Sequence, residues 1–197
     1  MTAGVIPNLQ LIAVAYLLGS IPFGLILGKL IWKTDLRTVG SGNIGATNAW
    51  RVLGRNAGLL VFFCDFAKGY AACQICLNYS SFVYDAIACA AAALIGHCAS
   101  IFMKFKGGKA VSTSLGCLAC LMPDVAVCLL ITWGICFGLT RTVSIASCIA
   151  AIGAPILAAA FLYPKPMIWF CAAATIFVLV RHKANIKRIF AGEELHF

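Results

Sequence analysis

Long apolar runs, separated by short polar stretches, make up most of this sequence. Seven such runs can be drawn, at residues 9–31, 59–77, 83–102, 110–122, 125–139, 143–162 and 167–180. A helix needs about 20 apolar residues to cross a bilayer, and the first, second, third and sixth runs are long enough. The fourth and fifth are shorter and are separated by Pro123 and Asp124, so they form either two brief helices or one re-entrant pair. The pattern predicts an all-α integral membrane protein with about seven transmembrane helices, six being the alternative.

The composition explains why these runs do not fit a soluble core. Of the 197 residues 62% are hydrophobic and 11% are charged, with a mean hydropathy of +0.98, whereas soluble domains are about 45–50% apolar and about 25% charged. The apolar residues are spread evenly, which favours one polytopic domain over residues 1–197. The first basic residue is Lys29. A signal peptide needs an earlier positive charge, so we expect the first run to remain in the mature protein.

Basic residues are concentrated between the apolar runs and give the chain a net charge of +9. If the seven helices alternate, the stretches 32–58, 103–109, 140–142 and 181–197 fall on one side and hold most of the Lys and Arg residues. Cytoplasmic loops are the basic ones, so the N-terminus is predicted outside and the C-terminus in the cytoplasm. Six helices would place the last two stretches on the wrong side. The placement indicates membrane orientation and anion capture rather than nucleic-acid binding.

Eleven cysteines lie mostly inside the apolar runs. Two pairs have the C-x-x-C spacing, Cys73 with Cys76 and Cys117 with Cys120. No His or further Cys nearby completes the four ligands of a structural zinc site. We expect these side chains to pack between helices as small apolar groups, and the sequence predicts neither a metal ion nor a cofactor.

The clearest polar cluster follows the first apolar run, at residues 38–51. Glycines allow a backbone to approach an anion and to point N–H groups at it, while hydroxyl and amide side chains add donors. A guanidinium can then bind a phosphate with two parallel hydrogen bonds. The spacing also matches G-x-G-x-x-G, but a dinucleotide site needs a strand before the motif, and here an apolar helix precedes it. The candidate binding residues of this cluster are Gly40, Ser41, Gly42, Asn43, Thr47, Asn48 and Arg51.

A second cluster, at residues 96–109, combines a histidine with the tetrad Lys-Gly-Gly-Lys. The tetrad precedes an apolar run, so it is predicted to bring two ammonium groups and free backbone N–H groups to the start of a helix. It is not a Walker A loop, because Ala110 replaces the Ser or Thr. Polar side chains at membrane depth are costly and are commonly functional, which makes the histidine a candidate as well. The candidates here are His97, Lys106, Gly107, Gly108 and Lys109.

Two further clusters lie at residues 141–147 and 181–188. The first contributes Ser144 and Ser147, and the second contributes His182 and Asn185. Taken alone, the first is typical of a capped helix start and the second of a basic tail that binds anionic lipid heads. All four clusters fall on the predicted cytoplasmic face, however, and all supply donors for anions. Together they predict a site for one or two substrates that carry phosphate, with an acyl chain held between helices.

Three features of the apolar runs lead to smaller predictions. Gly24 and Gly28 have the G-x-x-x-G spacing of close helix–helix packing, and Pro22 beside them predicts a kink. Asp65 and Lys68 are the main polar residues within a run. Because they are three positions apart, they can pair on one helix face.

The sequence resembles the bacterial acyl-phosphate:glycerol-3-phosphate acyltransferase family along essentially its whole length. The resemblance rests on Gly-Ser-Ile-Pro-Phe-Gly at 19–24, Gly-Ser-Gly-Asn-x-Gly-Ala-Thr-Asn at 40–48, Gly-His at 96–97 followed by Phe-Lys-Gly-Gly-Lys at 105–109, and Arg-His with Asn-Ile between 181 and 186. Two positions depart from the family pattern. Ser100 stands where Pro is usual, and Ala110 stands where Gly is usual.

The resemblance implies a multi-pass enzyme of the bacterial inner membrane, with seven helices and its active site on the cytoplasmic face. Such an enzyme transfers a fatty acyl group from acyl phosphate to the 1-hydroxyl of glycerol 3-phosphate, giving 1-acyl-glycerol 3-phosphate and phosphate for phospholipid biosynthesis, and it needs no metal. Carried onto this chain, Ser41, His97 and Asn185 would be catalytic, and Ser41 with its glycine neighbours would hold the acyl phosphate. The residues that would bind glycerol 3-phosphate are Arg51, Lys109, Ser147, His182 and Asn185.

The reaction expected from the resemblance is direct attack of the glycerol hydroxyl on the mixed anhydride, with His97 or the acyl phosphate's own oxygens taking the proton. An acyl-Ser41 intermediate is disfavoured, because the sequence shows no positioned His–carboxylate pair to activate the hydroxyl. The main alternative is a membrane transporter of an organic or lipid-linked phosphate, but the sequence shows no convincing inverted repeat. A basic lipid-binding scaffold is a second alternative, which would not need the Gly/Ser/Asn residues. The predicted partners are acyl phosphate, glycerol 3-phosphate and membrane lipid, and the sequence identifies no protein partner.

Overall fold

Helices account for the regular secondary structure of residues 8–195, the part of the chain that this computed structural model describes. The all-α prediction is confirmed for these residues. In chain order the helices are α1 Leu9–Ser20, α2 Phe23–Trp32, α3 Ala46–Leu53, α4 Arg55–Tyr79, α5 Val83–Cys98, α6 Val111–Leu121, α7 Pro123–Thr140, α8 Val143–Ala160, α9 Lys165–Arg181 and α10 Lys183–Phe190, with a 3₁₀ turn at Ile101–Met103 between α5 and α6.

Each of the seven apolar runs forms a helix, and the first run is broken where a proline predicts it. Pro22 has no backbone N–H and disfavours a helical residue before it, so α1 ends at Ser20 and α2 begins at Phe23. The short helices α3 and α10 were not predicted. Each has only eight residues, of mixed polarity. A search for long apolar runs therefore does not find them.

Within residues 8–195, four stretches of helix are long and apolar enough to cross a membrane. They are Leu9–Trp32, which includes the break between α1 and α2, Arg55–Tyr79, Pro123–Thr140 and Val143–Ala160. Helices α9 and α10 are bent by 62° and add a fifth if they count as one span, whereas α5 and α6 are apolar but shorter. The number of seven spans and the orientation of the termini stay predictions.

The chain divides after Cys120 into two compact units, so the single domain stays a prediction. In the first unit α1 packs against α5 and α4. Gly19 of α1 lies against the backbone of Ala93, and Gly96 of α5 lies against the backbone of α1, so closely that a Cβ at either glycine would overlap the neighbouring atoms. Contacts between small residues allow membrane helices to approach in this way.

Small residues also join α4 to α6 in the first unit. Gly69 of α4 lies against the backbone of Thr113, and Gly116 of α6 lies against the carbonyl of Phe66. Between them, the buried thiol of Cys117 donates a hydrogen bond to the carbonyl oxygen of Gly69 at 3.4 Å. Cys117 therefore packs between helices as the sequence predicts.

The G-x-x-x-G pair of α2 contacts the loop that follows the helix, and Gly24 also contacts α4. A Cβ at Gly24 would overlap the carbonyl oxygen of Ile44, and a Cβ at Gly28 would lie 2.9 Å from the carbonyl oxygen of Thr34. A Cβ at Gly24 would also lie 3.3 Å from Cγ1 of Val61 on α4, so the predicted helix–helix packing holds for Gly24 but not for Gly28. The nearest backbone at both glycines belongs to the segment that links α2 to α3.

In the second unit α8 packs between α7 and α9. Thr175 of α9 donates a hydrogen bond to the carbonyl oxygen of Ala151 of α8 at 2.6 Å. The hydroxyl of Tyr163, after α8, donates a hydrogen bond to the carboxylate of Asp124 at the start of α7, at 2.6 Å. These two hydrogen bonds specify how the helices of the second unit are oriented against one another. Contacts between apolar surfaces are less directional.

Candidate active site

The segment at 34–45, between α2 and α3, is folded around one buried side chain, Asn48. Its Oδ1 accepts a hydrogen bond from the N–H of Ser41 at 2.9 Å. Its Nδ2 lies within hydrogen-bonding distance of the carbonyl oxygens of Leu36 and Val39, both at 3.1 Å, and of Asn43 at 2.8 Å. Asn48 is 1% exposed. It therefore organises the loop that presents Ser41, and a direct contact of Asn48 with substrate stays a prediction.

The backbone of this loop uses several of its N–H groups internally. Ser41 donates to Asn48, Gly42 donates to the carbonyl oxygen of Val39 at 3.0 Å, and Gly45 donates to Oδ1 of Asn43 at 2.8 Å. The N–H groups of Ser41, Gly42 and Gly45 therefore have partners within the loop, and anion binding by this loop stays a prediction. Two of its glycines are required by conformation, because Gly40 and Gly42 have φ values of +59° and +70°, where a Cβ is strained.

Helix α3 carries two further candidates, Thr47 and Arg51, one turn apart on the same helix face. The helix is anchored by apolar contacts, since Ala49 packs with Leu36 of the loop and with Val61 of α4 in a fully buried cluster. The exposed Ser41 and the half-buried Arg51 both adjoin this anchored structure. The loop and α3 therefore present a hydroxyl and a guanidinium from a rigid base.

Charges in the same loop are already compensated. Arg37 donates hydrogen bonds to the carboxylate of Asp35 from Nε and Nη2, the shorter distance being 2.6 Å, and Nζ of Lys29 lies 3.1 Å from the same carboxylate. The hydrogen bond from Arg37 and the nearby ammonium group hold the pKa of Asp35 well below its usual range. Arg37 is thus an ion-pair partner of Asp35, which leaves Arg51 as the guanidinium candidate of this segment.

His97, at the end of α5, is buried among polar side chains from two other helices. Its Nδ1 lies 3.1 Å from the hydroxyl oxygen of Thr113 and 3.6 Å from Oδ1 of Asp65. Lys68 is one turn further along α4, with its Nζ 2.8 Å from the same Asp65 oxygen. The predicted pairing of Asp65 with Lys68 is confirmed. A carboxylate of α4 therefore lies beside His97, whereas the expectation that no such pair activates Ser41 stays a prediction.

The tetrad 106–109 folds over the other edge of this histidine. The N–H of Gly108 donates to the carbonyl oxygen of His97 at 3.1 Å, and a Cβ at Gly108 would overlap Nε2 of the imidazole. The N–H of Lys106 donates to the carbonyl oxygen of Met103 at 3.2 Å. The prediction of free N–H groups was therefore wrong for Gly108 and Lys106. Of the two lysine side chains of the tetrad, Lys106 is exposed and Lys109 is half-buried.

The loop at 34–45 and the surroundings of His97 both contact the chain around the break between α1 and α2. The hydroxyl of Ser100 donates to the carbonyl oxygen of Ser20 at 2.6 Å. Nζ of Lys68 donates to the carbonyl oxygen of Ile21 at 2.8 Å. Ile44 lies against Gly24. The break at Pro22 thus exposes helix carbonyl groups that anchor the surroundings of both clusters.

The second unit holds the four remaining candidates, and a carboxylate joins two of them. Glu194 lies after α10, and its Oε1 accepts hydrogen bonds from Oγ of Ser144 at 2.7 Å and from Nδ2 of Asn185 at 2.5 Å. Its Oε2 accepts from Nε of Arg188 at 2.7 Å. Burial opposes ionisation of Glu194, but these hydrogen bonds outweigh it and lower the pKa of the carboxyl.

Ser147 and His182 also have hydrogen-bonding neighbours in the second unit. Nε1 of Trp133 donates to the hydroxyl oxygen of Ser147 at 3.2 Å. Nδ1 of His182 lies 2.8 Å from the carbonyl oxygen of Val178. A carbonyl is only an acceptor, so Nδ1 carries the proton, and Nε2 of the neutral ring is then an acceptor. Both side chains are almost completely buried within their unit.

Among residues 8–195, no three His, Cys, Asp or Glu side chains are placed to hold a metal ion. The cationic candidates of the first unit are Arg51, Lys106 and Lys109. Hydroxyl and imidazole groups beside them supply neutral donors and proton acceptors. Such a set is suited to anion binding and acyl transfer.

Residues 9–192 match the family model described as glycerol-3-phosphate acyltransferase. The chain is 40% identical over 192 residues to the glycerol-3-phosphate acyltransferase of Aquifex aeolicus, covering 96% of this chain and 98% of that one. It is 40% identical to glycerol-3-phosphate acyltransferase 2 of Bacillus anthracis, covering 95% and 97% of the two chains. This chain belongs to the glycerol-3-phosphate acyltransferase family.

A solved member of the family has the same fold. The structure is of PlsY (YgiH), an integral membrane glycerol 3-phosphate acyltransferase, in its glycerol 3-phosphate form; it superposes with a TM-score of 0.92 at 39% identity and covers 96% of this chain and 94% of that one. The lysophosphatidic acid form gives a TM-score of 0.89 at 37% identity. The predicted class, an all-α integral membrane protein, is therefore confirmed.

The two departures from the family pattern have visible structural consequences. Ser100 replaces the usual Pro, and it uses both an N–H, bonded to the carbonyl oxygen of Lys106 at 3.3 Å, and a hydroxyl, bonded to Ser20. Proline offers neither donor. Ala110 replaces the usual Gly and has a φ of +61°, a conformation that glycine adopts without strain.

Sequence reasoning missed three side chains that surround the candidates. Asp65 and Lys68 are ionisable residues within an apolar run, a signal that could have assigned them to the site. Glu194 gave no comparable signal, because a carboxylate in a terminal stretch is ordinarily solvated. Its neighbours Ser144 and Asn185 identify it only in the folded chain.

Proposed function

We propose that this protein transfers a fatty acyl group from acyl phosphate to the 1-hydroxyl of glycerol 3-phosphate, releasing phosphate and 1-acyl-glycerol 3-phosphate for phospholipid biosynthesis. It acts in the bacterial inner membrane with its active site on the cytoplasmic face. The observation that carries the proposal is the match along almost the whole chain to an acyltransferase family with a solved glycerol 3-phosphate form. The basic, hydroxyl-rich segments of both units support it.

The two substrates are assigned to different groups of residues. The acyl phosphate is held by the loop of Gly40, Ser41, Gly42 and Asn43, where the exposed Ser41 hydroxyl donates to a phosphate oxygen. The glycerol 3-phosphate is held by cationic and neutral donors together, which suits a dianion that also carries hydroxyl groups. The residues of this second group are Thr47, Arg51, Lys106, Gly107, Gly108, Lys109, Ser144, Ser147, His182 and Asn185.

In the proposed reaction the 1-hydroxyl oxygen forms a bond to the acyl carbon, and the bond from that carbon to the phosphate oxygen breaks. The hydroxyl proton goes to His97 or to an oxygen of the acyl phosphate, and phosphate leaves with the electron pair. Phosphate is a good leaving group, so positioning and charge stabilisation supply most of the rate. Direct transfer needs no acyl-Ser41 intermediate.

The deciding experiment uses the purified protein in detergent with palmitoyl phosphate, with and without glycerol 3-phosphate. We expect phosphate release that depends on glycerol 3-phosphate and yields lysophosphatidic acid in equal amount. Arg51→Ala should lower kcat/KM for glycerol 3-phosphate about 10- to 100-fold, as expected for one charge-assisted bidentate contact. Arg55→Ala is the matched control, because Arg55 is exposed and lies over the ring of Trp50.

Two results would count against the proposal. Folded protein that consumes no palmitoyl phosphate, but moves labelled glycerol 3-phosphate unchanged into liposomes, would be a transporter. Phosphate release that is the same with and without glycerol 3-phosphate would indicate hydrolysis instead of transfer.

A further inference from the structure

Residues 100–106 form a tight hairpin that joins the end of α5 to the tetrad. Ser100 and Lys106 make an antiparallel bridge, in which the N–H of Ser100 donates to the carbonyl oxygen of Lys106 at 3.3 Å. The carbonyl oxygen of Ser100 accepts hydrogen bonds from the N–H of Met103 at 3.0 Å and from the N–H of Phe105 at 2.8 Å. The backbone of Ser100 therefore closes the hairpin that carries Lys106.

The side chain of Ser100 fastens this hairpin to the end of α1. Its hydroxyl donates a hydrogen bond to the carbonyl oxygen of Ser20 at 2.6 Å. Ser20 is the last residue of α1, and the last carbonyl groups of a helix have no N–H partner within it. Both serines are only 1% exposed, so water does not replace the missing donor. The Ser100 hydroxyl thus satisfies a buried helix end and holds the hairpin there.

The base of the hairpin is fixed by close packing of α1 against α5. The hydroxyl of Tyr16 donates to the carbonyl oxygen of Ala99, the residue before the hairpin, at 2.8 Å. A Cβ at Gly96 would overlap the carbonyl oxygen of Tyr16 and would lie 2.9 Å from the backbone nitrogen of Ser20. The helix end that accepts the Ser100 hydroxyl is therefore a fixed point for the hairpin.

The turn of the hairpin has a strained backbone. Lys104 and Phe105 have φ values of +53° and +58°, in the left-handed region that L-residues with a side chain rarely adopt. Both side chains are exposed, so their packing within the unit does not hold the turn. Strained conformations persist where surrounding contacts determine them. The contacts that do so here include the two N–H groups bonded to the Ser100 carbonyl oxygen.

We propose that Ser100 is a positioning residue for glycerol 3-phosphate: it holds the hairpin on the end of α1 so that Lys106 presents its ammonium group to the substrate phosphate. The inference rests on the proposed function, which assigns Lys106 to this substrate. Ser100 has a φ of −68°, the value that a proline ring fixes. At a position where the family pattern has Pro, this chain therefore adds hydrogen bonds at the same backbone conformation.

Steady-state kinetics in detergent test the positioning. Ser100→Ala removes the hydroxyl but keeps the backbone donor, and it should raise KM for glycerol 3-phosphate about tenfold. Values of kcat and of KM for palmitoyl phosphate should stay within about twofold. Ser100→Thr restores a hydroxyl and should bring KM back to within about threefold of wild type. An unchanged KM in folded Ser100→Ala would overturn the inference.

The matched control is Ser114→Ala in α6. Within residues 8–195 the Oγ of Ser114 has no hydrogen-bond partner, so its removal should leave KM for glycerol 3-phosphate at the wild-type value. A rise equal to that of Ser100→Ala would show that loss of any serine hydroxyl in this unit has the same effect, and the assignment to Ser100 would fail.

A double-mutant cycle tests whether Ser100 acts through Lys106. Lys106→Gln should itself raise KM for glycerol 3-phosphate, and adding Ser100→Ala to it should change KM by less than about threefold, because the ammonium group that Ser100 positions is gone. A tenfold rise in both backgrounds would mean that Ser100 acts independently of Lys106, which contradicts the proposal.

Amide hydrogen exchange tests the hairpin without turnover. In the wild type the amides of Met103, Phe105 and Lys106 should be protected, and in Ser100→Ala they should exchange faster while those of α8 stay unchanged. Unprotected amides at these three positions in the wild type would overturn the inference even if no variant folds. Wild-type protein without acyl transfer would sink the proposed function, whereas active wild type with unchanged Ser100→Ala would sink only this inference.

Discussion

Nδ2 of Asn185 donates a 2.5 Å hydrogen bond to the carboxylate of Glu194. The same carboxylate oxygen accepts from Ser144, so two side chains proposed to contact glycerol 3-phosphate are oriented by one buried acid. The acid belongs to the segment after α10, which is thereby tied to the start of α8. A candidate binding residue and the segment after α10 are thus coupled within the second unit.

Replacing this acid should weaken both folding and binding. Glu194→Gln removes the charge that three donors share, and hydrogen bonds to charged groups contribute about 1.5–3 kcal/mol each. We expect the thermal unfolding midpoint in detergent to fall and KM for glycerol 3-phosphate to rise about tenfold. Glu193→Gln is the control, because Glu193 is exposed. Equal behaviour of the two variants would contradict the positioning role.

Glu194 also predicts the response of the protein to acid. Its pKa is below the ordinary value of 4.5, so its ionised form stabilises the fold above the unfolded pKa, and this contribution is lost as pH falls through the folded pKa. Unfolding midpoints measured from pH 7 to pH 3 should decrease below about pH 4.5 in the wild type. Glu194→Gln should show a shallower decrease; an identical slope would exclude Glu194 as the cause.

Asn48 should be required for the loop that carries Ser41. Asn48→Ala leaves the Ser41 N–H and three carbonyl groups without their partner, and buried unsatisfied groups cost about 1–3 kcal/mol. We expect lower thermal stability and at least a tenfold loss of kcat/KM for palmitoyl phosphate. Asn56→Ala, at an exposed asparagine of α4, should behave like wild type. Full activity of folded Asn48→Ala would refute the loop assignment.

A methyl group at Gly108 should disturb His97 without unfolding the protein. The Cβ of Gly108→Ala would overlap Nε2 of His97, whereas a Cβ at Gly134 of α7 meets nothing within 4 Å. We expect Gly108→Ala to lower kcat at least tenfold, on the scale expected for a misplaced base. Gly134→Ala should retain wild-type kcat and unfold at the same or a higher temperature. Wild-type kcat in Gly108→Ala would show that the tetrad does not position His97.

Ala110 should tolerate glycine but not a branched residue. The φ of Ala110 is +61°, a conformation that costs an L-residue about 1–2 kcal/mol. Ala110→Gly relieves this cost. The substitution also loses a buried methyl group, worth about 0.8 kcal/mol, and increases the entropy of the unfolded chain, so these effects offset the relief. Stability of Ala110→Gly should therefore stay within about 1 kcal/mol. Ala110→Val should lose about 2 kcal/mol or more, unlike Ala173→Val on the exposed face of α9. Equal unfolding midpoints for the two Val variants would contradict this account.

The helices and their approximate limits were predictable because the free energy of placing apolar residues in lipid is summed along a local run. The break at Pro22 was also predictable from local sequence, because a proline lacks a backbone N–H and interrupts the helix where it stands. Helices α3 and α10 were not, because eight residues of mixed polarity form a helix only when neighbours cover one face. The partner of Gly24 was equally hidden, because small residues permit a contact without specifying what makes it.

The sequence by itself determined the helical membrane class, the residues available for binding phosphate and the family, since each depends on which residue types are present and in what order. Only the tertiary structure decided which N–H groups are already occupied, that Asp65 faces His97, and that Glu194 joins Asn185 to Ser144, which lies 50 residues before Glu194 in the chain. Hydrogen bonds and ion pairs act over a few ångströms. Their partners are therefore chosen by the packing of helices that are distant along the chain.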